Sequence, residues 1–192
     1  GNGQQCIDYP DPEFPLCPEL DGMQALSVPL PDVFAIAVGA DGSYYFYHRN
    51  RIHRVGENGI ITTIAGNGSP IDEECYDYNP EKPVMCQLPE GTPALETRIG
   101  NVFALAVGPE GSLYFDQYNC IRRLTPGGVV FTVAGQCFKD FQDTTFSGDG
   151  GPATEARFNF YSGKIKGIAV GPDSSLYIPD VDNSRVRPMR QV

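Results

Sequence analysis

Two histidines and six cysteines are the side chains of this 192-residue chain best equipped for metal, proton or thiol chemistry. His48 and His53 stand five positions apart. A catalytic zinc ion takes three protein ligands, so the pair falls short of a site without help from elsewhere in the fold. The cysteines lack the close pairing of zinc-binding sequences. Cys6 and Cys17 are eleven residues apart, Cys75 and Cys86 repeat that spacing, and the second pair follows the first by 69 residues. This regularity predicts disulfides Cys6–Cys17 and Cys75–Cys86, each stapling a proline-stiffened loop and restricting the unfolded chain by about 2–3 kcal/mol. Cys120 and Cys137 flank one expected hairpin, and a bridge across it requires Cα atoms within about 7 Å. Three disulfides imply an oxidising compartment, extracellular or lumenal.

The remaining candidates point to turns rather than chemistry. Asp41, Glu110 and Asp173 fall in tight turns, where a carboxylate bonds to its own local backbone. Asp149-Gly150 and Asp180-Val181-Asp182-Asn183 offer oxygen ligands to calcium but lack the loop spacing of a calcium-binding hand. Ser147-Gly148-Asp149-Gly150-Gly151 is glycine-rich yet carries no lysine to complete a phosphate loop. No serine or threonine has a partnered base. The sequence therefore predicts no catalytic residue, no metal, no cofactor and no enzyme.

The elements that carry these residues follow from an internal repeat. The stretch from Val33 to Phe46 returns from Val102 to Phe115 and again from Gly167 to Ile178, with offsets of 69 and 63 residues measured at Val38, Val107 and Val170. Each copy begins with a short run such as Ala35-Ile36-Ala37-Val38, apolar on both faces, which predicts an innermost strand buried on two sides. A turn follows in which Pro109 presets φ and Gly111 accepts a positive φ. A second strand runs to an asparagine suited to a left-handed turn (Asn50, Asn119, Asn183). The third strand alternates arginine with aliphatic residues, which predicts one wet and one buried face. His53 takes the place of Arg122 there, and His48 that of Gln117, so both rings are expected in solvent. Gly59–Gly66 and Gly128–Gly135 supply a fourth strand.

Four-stranded antiparallel meanders in tandem stack as propeller blades. The fold class expected is all-β, a partial β-propeller with blade 1 at about 33–66, blade 2 at about 102–135 and blade 3 at about 166–192. Disulfide-bearing inserts occupy 1–32, 67–101 and 136–165. About two and three-quarter blades are present against the roughly 4–8 of closed propellers, which favours a fragment of a longer polypeptide, with assembly of several copies as the alternative.

The chain carries 24 Asp+Glu against 14 Lys+Arg, a net charge of −10. Phosphate binding needs clustered cations, so nucleic acid is not an expected partner. Hydrophobic residues reach 41%, with 10 Tyr and 11 Phe to fill a core. No apolar run approaches the roughly 18 residues of a membrane span, so membrane insertion by this segment is not expected. Tyr45, Tyr114 and Tyr177 recur at one repeat position and are expected between blades. Tyr9, Tyr76, Tyr78, Phe138 and Phe141 lie in the inserts, where rigid aromatics suit a contact surface as well as they suit covering a blade edge. Asn67-Gly68-Ser69 matches the N-glycosylation acceptor pattern.

Phe146-Ser147-Gly148-Asp149-Gly150-Gly151-Pro152-Ala153, Gly167-Ile168-Ala169-Val170-Gly171-Pro172-Asp173 and Ile61-Thr62-Thr63-Ile64-Ala65-Gly66 together resemble the NHL repeat. The likeness covers nearly the whole chain and is to the long-period form similar to the NHL domain of teneurins and of secreted or surface NHL-repeat proteins. It implies an extracellular or cell-surface propeller whose loops contact a protein partner, glycans or further copies of itself, in adhesion, receptor contact or assembly of a filament or ring. Some NHL-like propellers are metal-dependent lyases, and that remains the enzymatic alternative. The cysteine-bearing inserts, Pro179 and Pro188 depart from the family pattern, and Pro188 marks its strand as an edge.

Overall fold

The computed structural model describes residues 1–4, 18–69, 71, 89–137, 147–158 and 167–190. Its strands are β1 Ile36–Val38, β2 Tyr44–His48, β3 Arg51–Val55, β4 Ile61–Ala65, β5 Thr92–Pro93, β6 Leu105–Val107, β7 Leu113–Gln117, β8 Cys120–Leu124, β9 Val129–Gly135, β10 Ala169–Val170, β11 Leu176–Asp180 and β12 Arg185–Met189. They form three antiparallel sheets in the orders β1-β2-β3-β4, β5-β9-β8-β7-β6 and β10-β11-β12. The register repeats between copies: Ile36 faces Phe46 and Leu105 faces Phe115, while Val38, Val107 and Val170 face Tyr44, Leu113 and Leu176. The insert ahead of blade 2 contributes β5, so that sheet has five strands rather than the four expected.

Turn chemistry sets this register. Gly42 and Gly111 take positive φ in the first turn of their blades, and Ser174 takes it in the third. The second turn differs from expectation. Asn50 is left-handed, but Tyr118 and Ser184 carry the positive φ in the other two copies, not Asn119 or Asn183. The hairpin geometry fixes which station is left-handed, and turn type and loop length shift that station along the chain. In blade 3 a 3-10 turn at Val181–Asn183 lengthens the loop, and Asn183 bonds Asp180 instead. Each fourth strand pairs with the third through a register shift, between Ile52 and His53 in blade 1 and between Ile121 and Arg122 in blade 2. There Gly66 and Gly135 take positive φ, and a Cβ on either would collide with the carbonyl of Asn50 or Asn119.

Apolar side chains pack in the seams between sheets. Tyr47, Ile52 and Ala65 of blade 1 meet Ile99, Val102, Leu105 and Phe115 of blade 2. Tyr114, Ile121 and Ala134 of blade 2 meet Phe158, Leu176, Ile178 and Met189. Fully burying one such side chain stabilises the fold by about 1.5–3 kcal/mol. A third cluster places Leu20, Ala25 and Val28 on Phe46, Val55 and Ile61 of blade 1.

The innermost strand is not buried on two sides throughout. Leu105 is 7% exposed, but its counterpart Ile36 is 62% and Val38 68% exposed. Among the described residues nothing packs ahead of the inner half of blade 1, so the same apolar run meets a neighbour in blade 2 and solvent in blade 1. Likewise Tyr114 is buried in a seam and Tyr45 packs against the other, whereas Tyr177 is exposed. The third strands also depart from a wet-and-dry alternation, because His53, Arg122 and Arg187 are all buried.

Candidate binding surface

Ahead of each blade the described parts of the insert are tied down at two places, one at its outgoing end and one where it returns to the blade. The outgoing end is held by an amide side chain. Asn2, Asn67 and Gln136 donate to the carbonyls of Ser27 (2.9 Å), Glu96 (3.4 Å) and Glu155 (3.4 Å), the last residues of the 3-10 turns Ala25–Ser27, Ala94–Glu96 and Ala153–Glu155. The returning end carries a carboxylate that sits over a buried third-strand side chain. Asp21 accepts the Thr63 amide N–H at 2.5 Å, and Thr63 Oγ1 lies 3.2 Å from Nδ1 of His53. Glu90 accepts the Thr132 N–H and hydroxyl at 2.6 Å each and faces Arg122 at 3.4 Å, while Arg122 also donates to Thr132 at 3.1 Å. Asp149 faces Arg187 at 3.0 Å, and Arg187 donates to the carbonyls of Arg157 (2.7 Å) and Ser147 (2.8 Å).

The repeat thus places an acid over a buried third-strand side chain three times, in direct contact with arginine in blades 2 and 3 and through Thr63 to His53 in blade 1. Two of the acids are more than half exposed, Glu90 at 53% and Asp149 at 59%, against 0% and 1% for their arginines. Water reaches the carboxylate and the arginine stem fills the interior. Both buried cations meet backbone or hydroxyl oxygens as well, which a charge taken out of water requires.

Cys120 and Cys137 form a disulfide with Cα atoms 4.8 Å apart, tying the start of β8 to the residue from which the insert bearing Phe138 and Phe141 departs. Cys6, Cys17, Cys75, Cys86, Tyr9, Tyr76, Tyr78, Phe138 and Phe141 lie outside the described residues. Asn67 is exposed, and its side-chain oxygen accepts the Ser69 N–H at 2.9 Å, closing the acceptor tripeptide into a tight turn.

The histidines are not in solvent, contrary to the strand alternation. His48 and His53 are 2% and 3% exposed, with ring centroids 6.3 Å apart, and His53 stacks on Phe46 at 5.0 Å. The segment from Leu20 to Val28 folds back over β3 and excludes water, which pushes the His53 pKa down to about 4, helped by His48 and Arg51. Burial lowers that of His48 too, with Arg51 adding to it and Asp32 opposing. Among the described residues no three of His, Cys, Asp and Glu gather into a metal-sized cluster.

Sequence reasoning passed over Asp116. It is 2% exposed, its Oδ1 accepts the N–H groups of Phe103 and Ala104 at 2.8 Å each, and burial pushes its pKa up to about 7 against those bonds. Its signal was a lone acid inside Leu113-Tyr114-Phe115-Asp116-Gln117, at the station held by Tyr47 and Pro179. The turn acids behave locally: Asp41 accepts from the Ser43 N–H and hydroxyl and from Arg54, which hold its pKa down to about 2, and Asp173 accepts from Ser175. Glu110 instead accepts the Ser174 hydroxyl at 3.1 Å, joining the turns of blades 2 and 3.

No protein-family model matches the chain. The whole chain aligns with Teneurin-4 of Mus musculus at 28% identity over 252 residues, which is 9% of that protein. Among solved structures, a protein of unknown function from Bacteroides thetaiotaomicron superposes with a TM-score of 0.53 at 19% identity, over 77% of this chain and 32% of that one. An auxiliary nutrient binding protein from Bacteroides ovatus gives 0.50 at 22% identity, over 80% and 36%. The chain therefore spans a small part of the curated relatives it matches. Sheet order, register and these likenesses together support an NHL-type β-propeller fold.

Proposed function

We propose that this chain is a non-enzymatic extracellular module that holds its inserts rigidly for contact with a protein partner. The observation that carries the reading is the clasp at each returning insert: Glu90 and Asp149 face the buried Arg122 and Arg187 of their own blades, and Asp21 holds Thr63, which in turn meets the buried His53. A loop anchored at its roots loses less freedom on binding, so more of the contact energy appears as affinity. The disulfide at Cys120 and Cys137 and the whole-chain alignment with Teneurin-4 support placement outside the cell. On the same reading Cys6–Cys17 and Cys75–Cys86 are bridged, Tyr9, Tyr76, Tyr78, Phe138 and Phe141 form the contact surface, and Asn67 carries a glycan. Glycosylation leaves one N–H on the Asn67 side chain, enough to keep its bond to the Glu96 carbonyl.

The test compares the secreted chain with a variant in which the five insert aromatics are serine, on intact cells and on purified extracellular domains. Saturable binding by the first and none by the second, at equal Tm, is the expected result. Equal binding by both would refute the assignment. Peptide mapping should find two further disulfides, and enzymatic deglycosylation should lower the mass at Asn67. Stoichiometric zinc in the purified protein would favour the lyase alternative instead.

A further inference from the structure

Three asparagines precede a glycine: Asn2, Asn58 and Asn67. In each the side-chain oxygen accepts the N–H two residues on, from Gln4 at 3.0 Å, Ile60 at 3.1 Å and Ser69 at 2.9 Å. The glycine nitrogens between them differ. The Gly59 N–H donates to the Gly56 carbonyl at 2.9 Å, whereas those of Gly3 and Gly68 donate no hydrogen bond among the described residues. Gly68 also has a cation beside it. A Cβ there would collide with the Arg51 guanidinium, while one on Gly3 would meet nothing. Asn67 is exposed, and its amide group donates to the Glu96 carbonyl at 3.4 Å, which holds the outgoing end of the second insert.

We infer that Asn67-Gly68 is a self-modification site, at which loss of ammonia converts Asn67 to isoaspartate or aspartate and unfastens the insert from its 3-10 turn. The Gly68 nitrogen gives up its proton and attacks Cγ of Asn67. The Cγ–Nδ2 bond breaks, and Nδ2 takes up a proton and leaves as ammonia. Water then opens the five-membered imide at either carbonyl, so one water is consumed, one ammonia is released and nothing is oxidised or reduced. The Ser69 N–H faces the oxygen on which charge develops during the attack. Arg51 favours the deprotonated nitrogen, by about tenfold for each pKa unit. The product carboxylate has no proton to offer the Glu96 carbonyl, so an attraction becomes a repulsion. Isoaspartate also lengthens the main chain just after Gly66 and Asn67, whose N–H groups bond the carbonyls of Ala94 and Thr97 at 2.9 and 3.0 Å. At the equivalent station of the third insert Gln136 is followed by Cys137, so the reactive pair is missing there. The reaction goes beyond the binding role proposed above and does not depend on what the inserts bind.

A glycan on Asn67 would occupy the leaving nitrogen. The test therefore uses the secreted chain carrying Ser69→Ala, which ends the acceptor pattern and keeps the main-chain N–H. After ageing at neutral pH, peptide mapping with enzymatic methylation of isoaspartate is expected to find Asn67 modified fastest, Asn2 more slowly and Asn58 intact. Adding Arg51→Gln should slow the change at Asn67 about tenfold, and Arg51→Lys should restore most of the rate. In the aged chain, hydrogen exchange at Gly66 and residue 67 should accelerate about tenfold, with exchange in β8 unchanged. Asn2 or Asn58 keeping pace with Asn67, an Arg51→Gln chain that ages like its parent, or unaltered exchange at Gly66 would each overturn the inference.

Discussion

Blades 1 and 2 share the lengths of their first three strands, their register and the shift near the start of each third strand, yet they fill their buried polar stations with opposite chemistry. Blade 1 buries His48 and His53, bases held neutral by loss of water. Blade 2 places Gln117 and Arg122 at the same stations and buries the acid Asp116 one residue away. The backbone repeat constrains where a polar group goes and leaves its ionisation free. Two units of one architecture can therefore respond to pH with opposite sign.

The largest difference should come from the clasp residue itself. Arg122→Ala empties the space of a fully buried side chain, while the half-exposed Glu90 keeps its Thr132 bonds, an expected loss of about 3 kcal/mol. His53→Ala, at the equivalent station, removes a smaller neutral ring and should cost about 2 kcal/mol. Urea denaturation followed by circular dichroism measures both, and equal losses would mean that the clasp is not stronger in blade 2. Next, only blade 2 carries a bridge from its third strand to its insert. Replacing Cys120 and Cys137 by alanine should cost about 3 kcal/mol for a loop of this size.

The pH response separates the blades more finely. His53 has a folded pKa of about 4 against 6.5 unfolded, so the unfolded chain binds the extra proton between those values. Its stabilising contribution is complete above pH 6.5 and drains away as the pH falls towards 4. Asp116 has a folded pKa of about 7 against 3.8, so the folded chain holds the extra proton, and its contribution is complete below pH 3.8 and lost as the pH rises to about 7. Between pH 6.5 and about 4 the two slopes oppose each other. Asp116→Asn should unmask the histidine slope, a loss on acidification of up to about 1.4 kcal/mol per pH unit. His53→Gln should unmask the reverse. Stability curves of the two variants that run parallel across this window would break the comparison.

The clasp was only half visible in the sequence. The periodicity that located His53, Arg122 and Arg187 on equivalent strands also assigned them to a wet face. Asp21 and Glu90 stand 69 residues apart, the offset of the repeat, but nothing in the sequence says over which strand an insert returns, and Asp149 falls off the period. Only the path of the returning inserts, over the outer strands, turns an alternating strand into one buried on both sides.

The smallest effect expected is at the first strands. Ile36→Ala should change stability by no more than about 0.5 kcal/mol in the monomer, where surface changes do little. Leu105→Ala, its buried counterpart, should cost about 2–3 kcal/mol. A loss at Ile36 matching that at Leu105 would show that something covers blade 1.

By itself the sequence determined the first turns and the pairing of strands within each meander, though not the left-handed station of every second turn or the added strand β5, because apolar alternation, Pro109, Gly42 and Gly111 act over a few neighbouring residues. The packing of one blade on the next decided which of two equivalent side chains meets solvent, as at Ile36 and Leu105 or Tyr177 and Tyr114. It also decided which ionisable groups lose their water. Burial and the pKa shifts that follow depend on surfaces brought together from distant parts of the chain, and no local pattern encodes those surfaces.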